Sequence, residues 1–189
     1  MIILVRVRTV TQARCRLPGY EVGWFEVDSA NYSLSNEGEA TSASGDSGDA
    51  KTGSEVEFAN LKLTKSVDGA TPELMFECCR GVMIPSLEIQ MVETAKGGKA
   101  NFPFLMLRFE RLFVSDWELN LTEKDTTETV DFRYERVAIE FYRTRDGIKY
   151  ESVGVQGWDL SVRDSSVNSQ GVTWKYDFKR RGDRLLETD

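Results

Sequence analysis

Two stretches of the chain alternate apolar and polar residues strictly and then change phase partway along. Between 56 and 63, Val56 and Phe58 share one parity, and Leu61 and Leu63 take up the other. Between 130 and 141, Val130, Phe132 and Tyr134 alternate, and Val137, Ile139 and Phe141 continue out of step. An extended chain sends successive side chains to opposite faces. A one-residue slip therefore turns every later side chain over. The chain must bulge or bend near Ala59-Asn60 and near Glu135-Arg136. Strands that turn such corners belong to a two-sheet barrel or sandwich. Further strand candidates are 2–8, 20–34, 82–92, 102–119 and 150–162. Val172, Trp174, Tyr176 and Phe178 also alternate and predict an extra strand with a frayed end. With 189 residues, 40% of them hydrophobic, the chain has apolar material for one core and fits a single domain, 1–189.

One short helix is expected, over about 72–80. Thr71 offers a capping hydroxyl, Pro72 suits the first helical position, and Gly81 suits a left-handed C-cap. Glu73 and Arg80 complement the helix dipole. Leu74, Cys78 and Met75 are expected to face the core.

Residues 35–54 are Gly, Ser, Ala, Asp, Thr, Asn, Glu and Lys, with no large apolar side chain. This segment reads either as a plain flexible loop or as one that orders on a neighbouring subunit. A shorter polar loop follows at 163–171, and Lys96-Gly-Gly-Lys99 reads as a turn.

The chemistry available is limited. The chain has no histidine, so it has neither an imidazole-based triad nor an imidazole metal site. Phosphate-binding glycine motifs are missing. Gly45-Asp-Ser-Gly-Asp49 lacks the ligand series of a calcium loop. A carboxylate pair of the glycosidase kind needs only two acids placed by the fold, and no local feature singles one out. The three cysteines, Cys15, Cys78 and Cys79, form neither a disulfide framework nor a CxxC zinc pattern. No cofactor or metal is expected. A net charge of -7 argues against a nucleic-acid partner. Lys179-Arg180-Arg181 reads as a solvated tail, and Arg181-Gly182-Asp183 as a chance tripeptide. Asn31-Tyr-Ser and Asn120-Leu-Thr match glycosylation sequons. The apolar N-terminal run Met1–Val5 is too short for a signal peptide, and no segment is long enough to insert in a membrane. The expectation is maturation in a reducing compartment, with any export bypassing the general secretory route.

Several segments, taken in order, carry a family resemblance. The first is Val56 to Leu74, with Leu61, Leu63, Thr64, Lys65, Asp68, Thr71, Pro72 and Leu74 as its marks. It is followed by Cys79-Arg80-Gly81, then Ile84 to Val92, 104–115, Glu128 to Tyr142, and Gly157-Trp158-Asp159-Leu160. Over roughly 20–162 this order resembles the Hcp (haemolysin-coregulated protein) tube proteins of bacterial type VI secretion. Met1–Arg16, Ser29-Ala-Asn-Tyr32 and the tail from about 165 depart from the family pattern.

The resemblance implies a mainly β, two-sheet Hcp-like fold with one short helix. It implies a non-enzymatic structural subunit that forms hexameric rings stacked into an exported tube, with effectors in the lumen. The implied partners are further copies of the chain, a spike protein, a contractile sheath and effector proteins. Loop 35–54 is the expected contact with a neighbouring ring or subunit, through Asn36, Glu37, Asp46, Asp49 and Lys51. A phage-like tail tube protein, a monomeric β-sandwich binding module and a β-sheet hydrolase are the alternatives.

Overall fold

The computed structural model describes residues 1–36, 56–94, 101–144, 150–160, 178–181 and 184–187. The strands are β1 (Ile2–Val7), β2 (Phe25–Val27), β3 (Ser29–Asn31), β4 (Leu34–Asn36), β5 (Val56–Phe58), β6 (Leu61–Ser66), β7 (Ile84–Glu93), β8 (Phe102–Leu121), β9 (Thr126–Arg133), β10 (Arg136–Thr144), β11 (Tyr150–Asp159), β12 (Phe178–Arg181) and β13 (Arg184–Glu187). One helix, α1 (Thr71–Arg80), lies between β6 and β7.

The twenty-residue strand β8 organises the molecule. Its first half pairs with β7 on one side and β10 on the other. β1 and β2 extend this layer beyond β7, and β11 extends it beyond β10. The second half of β8 pairs with β9, which leads through β6 to β3. Every pairing is antiparallel. The neighbour of β8 changes from β10, opposite Glu110, to β9, opposite Phe113. Between them sits Arg111, at φ 54°. The left-handed region is costly for a residue with a Cβ, so the corner between the two layers falls on one strained residue. An Arg111–Glu135 ion pair closes the corner from the other chain segment that crosses it.

The core fills the space between the layers. It includes Val5, Val7 and Phe25 from one side, Leu61, Leu63, Val130 and Phe132 from the other, and Leu74 from α1. A smaller cluster lies on the opposite face of β1, where Leu4 and Val92 are covered by Tyr20 and Trp24. Tyr20 meets Trp24 edge to face, with centroids 5.1 Å apart, and its hydroxyl donates to Gln90 Oε1 at 2.8 Å.

Both phase changes are where the alternation placed them: Ala59-Asn60 separates β5 from β6, and Tyr134-Glu135 separates β9 from β10. Several expectations need correction. The strand expected over 20–34 is three short pieces, because Gly23 turns at φ 76° and Tyr20 and Trp24 fold onto the outer cluster. Ser35 and Asn36 belong to β4, paired with β5, so the polar loop begins after them. Residues 37–55 and 161–177 lie outside the described residues, as do the turn at 96–99 and the alternation at 172–176. The basic run at 179–181 is in β12, paired with β13, rather than a free tail.

The helix also departs from its expected start. Ala70 is the N-cap and makes no side-chain cap bond. Thr71 is the first helical residue and Pro72 the second. The Thr71 hydroxyl instead accepts from Asp68 N–H at 3.1 Å and donates to Glu128 at 2.7 Å. Gly81 closes the helix in the left-handed conformation, and its N–H donates to Glu77 O at 3.1 Å. Leu74 is buried, and Cys78 is half-buried against the core. Met75 points outward, and Glu77 takes the inner position in its place.

Candidate functional site

Leu61, Leu63 and Lys65 share one parity on β6, so the strand that points two leucines inward also points a lysine inward. Lys65 is fully buried. Directly opposite on β9 stands Glu128, on the same parity as Val130 and Phe132 and likewise fully buried. Isolated charges there would be costly; paired and fully hydrogen-bonded charges are tolerated. The Lys65 ammonium donates to Glu128 Oε1 at 2.7 Å, Asp68 Oδ1 at 2.7 Å and the Ser66 carbonyl at 2.8 Å. All three of its protons are placed. Glu128 Oε1 also accepts from the Thr71 hydroxyl, and Oε2 accepts from Trp117 Nε1 at 2.8 Å. The Phe25 ring lies 5.5 Å from the ammonium, within cation–π reach.

This knot joins β6, β9, β8 and the start of α1. Asp68 Oδ1 also accepts from Ala70 N–H at 2.8 Å, which fixes the entry into the helix. One turn on, the Glu73 carboxylate accepts from Thr11 N–H at 2.7 Å, Gln12 N–H at 2.8 Å and the Thr11 hydroxyl at 2.9 Å. Burial pushes the Glu73 pKa up. The bonds from Gln12 and Thr11, with the nearby Arg14 charge, outweigh that and hold it below the ordinary value. Gly69 belongs to the same seam: a Cβ there would lie 2.9 Å from the Gln12 carbonyl oxygen. The N-terminal segment is thus clasped to the helix start.

The residues marked in the sequence therefore divide. Lys65, Asp68 and Thr71 converge on the knot, with Leu61 and Leu74 packed in the core. Thr64 pairs backbone to backbone with Ser29 on the half-buried side of β6, and Pro72 is exposed. Gly157 lies opposite Ala138 on β11, and neighbouring Trp158 packs partly buried against the core. Asn36 is in β4, whereas Glu37, Asp46, Asp49 and Lys51 lie outside the described residues. Sequence reading missed Glu128 as the partner of Lys65, and Trp117 as the partner of Glu128. The available signal was a pair of opposite charges on the core parity of two strands.

A second arrangement went unread. The outer face of the larger layer carries Arg6, Glu88, Arg108, Glu110, Arg136 and Asp159. Arg6, Glu88 and Arg108 stand in cross-strand register, as do Glu110, Arg136 and Asp159. Arg108 bridges Glu88 at 3.3 Å and Glu110 at 2.9 Å, and Arg136 bridges Glu110 at 3.9 Å and Asp159 at 2.6 Å. Charge thus alternates in sign across five strands.

These sites organise structure; neither presents a nucleophile with a base. A recess of about 350 Å³ at the corner is lined by Phe58, Ala59, Asn60, Arg133, Tyr134 and Leu160, and its walls hold no acid–base pair. Among the described residues no group of three or more Cys, Asp or Glu side chains is placed to hold a metal ion. Nor is any described helix long and apolar enough to cross a membrane.

Residues 18–141 match the family described as type VI secretion system effector, Hcp. A solved structure titled as a type six secretion system protein shares 23% identity, with a TM-score of 0.69 over 86% of this chain and 98% of its own. Hcp1 from Salmonella typhimurium is 18% identical, with a TM-score of 0.64 over 86% of this chain and 96% of its own. The secreted protein Hcp3 from Pseudomonas aeruginosa is 15% identical, with a TM-score of 0.54 over 80% and 96%. At these identities the structures establish the shared fold. No curated protein sequence matches the chain. The family match spans residues 18–141, from the segment before β2 into β10 and across both layers and the Lys65 knot, and on that ground the chain belongs to the Hcp family of type VI secretion system effectors.

Proposed function

We propose that this protein is a structural, non-enzymatic tube subunit of a type VI secretion system, forming hexameric rings that stack into the exported tube. The observation that carries this reading is the family match over residues 18–141. In this reading residues 1–189 form one Hcp-like domain, with loop 35–54 and the extension from about 165 as its additions. The partners are further copies of the chain, a spike protein, a sheath and effectors carried in the lumen. The protein is held in the cytoplasm until contraction exports it. Asn36 at the end of β4 and Glu37, Asp46, Asp49 and Lys51 beyond it contact a neighbouring subunit or ring.

Ring formation follows from ordinary interface physics. A head-to-tail contact repeated until it closes makes a ring, and axial repetition makes an open filament. Sedimentation and negative-stain microscopy of the purified protein test the proposal. Rings of several subunit masses are expected; a species that stays at 21.4 kDa at all concentrations overturns it and favours a lone binding module.

A further inference from the structure

Two apolar surfaces are left without cover among the described residues, and they have different shapes. The first is flat. Val27, Ile3, Met91, Leu105, Phe141 and Gly154 form one cross-strand row on the core-facing side of the larger layer. In the adjacent row, Phe25, Val5, Ile89 and Leu107 are buried between the layers. Burial fades along both rows toward β10: Val27 is buried, Ile3, Met91 and Leu105 are half-buried, and on β10 Ile139, opposite Leu107, is 37% exposed and Phe141 46%. The larger layer overhangs the smaller one and leaves an apolar shelf at its rim. Gly154 keeps the end of the shelf open, since a Cβ there meets nothing within 4 Å.

The second surface is a ridge. The outward side of α1 and the turn after it present Met75 (41% exposed), Phe76 (57%), Val82 (38%) and Met83 (55%). Arg80 lies over the Phe76 ring at 5.7 Å. Clustered apolar side chains of this kind mark contact surfaces, and methionine adapts its shape to a partner.

We infer that the α1 ridge of one copy seats on the Phe141 shelf of the next, a contact distinct from loop 35–54. The inference rests on the ring reading, which requires two unlike surfaces on every copy. Shelf on shelf, or ridge on ridge, would be isologous and stop at a dimer, whereas ridge on shelf repeats around a ring. A helix laid on an exposed sheet face is also a usual way of covering one.

The test uses Phe76→Glu and Phe141→Glu in the full chain, followed by sedimentation of each variant alone and of the two mixed. Both substitutions fall on side chains about half exposed, so the monomer's core is left intact. The expected result is a ring for the parent protein and a 21.4 kDa species for each variant. An equimolar mixture should give a two-chain species, since each variant supplies the surface the other lacks. That recovery also shows that both variants are folded. Rings formed by either variant would overturn the ridge-on-shelf contact and leave the ring reading standing. Monomeric variants that fail to pair would overturn it as well. A parent protein that never forms rings would overturn the ring reading itself.

Discussion

Lys65 and Glu128 are worth most at the level of the single residue. The pair is sealed from water, so removing one partner strands the other. Lys65→Met is expected to cost about 3–5 kcal/mol, read as a shift in the urea midpoint. Lys65→Met combined with Glu128→Leu should cost less than the two single changes added together. Single changes costing under about 1 kcal/mol would show that water reaches the pair. Glu73 gives a pH signature. Its folded pKa lies below its unfolded one, so its contribution is full above the ordinary carboxylate value of about 4.3. It is lost as pH falls through the depressed folded value. The stability gap between the parent and Glu73→Gln should therefore close on acidification in pH-resolved melts; a gap that persists undiminished in acid would contradict this. Parity on β6 and β9 already marks Lys65 and Glu128 as inward charges. What the sequence lacks is the adjacency of those strands, which only the pairing register supplies. Met75 and Glu77 went the other way for a similar reason. Hydrophobicity alone favours Met75 inside, but the inner position belongs to Glu77, held at 3.2 Å by Arg80.

At the level of the element, β8 carries both layers, and its corner concentrates strain at Arg111. Glycine would relieve the left-handed backbone and forfeit an exposed ion pair of small worth. Arg111→Gly is accordingly expected within about 1 kcal/mol of the parent. Arg111→Val, with a branched Cβ at positive φ, should lose roughly 1–3 kcal/mol. Thermal melts of the two variants separate these outcomes, and equal losses would argue against strain at the corner. The break at Glu135-Arg136 was legible because the apolar parity slips there. The turn within β8 was less so: Phe109 and Leu112 are spaced by three, but unbroken β-formers on both sides hide it.

At the level of the whole molecule, one strand shared by two layers predicts a single unfolding unit. Amide exchange along β8, in both its Ile84-facing and Phe132-facing halves, should be governed by the same global opening free energy. Two distinct plateaus, one per layer, would show that the layers open separately. The general architecture is visible in the alternation and in the family-like segments. The apolar shelf is not, because Phe141 and Val137 share a parity and differ only in how far the opposite layer extends above them. The row of alternating charges on the outer face has a consequence beyond rigidity. Three guanidiniums and three carboxylates sum to zero, and neighbouring strands lie only about 4.8 Å apart. Opposite signs at that pitch cancel within a few ångströms of the surface, inside a physiological Debye length of about 8 Å. To a macromolecule sliding past, this row would add almost no field of its own, and the chain's net charge of -7 would arise from residues outside it.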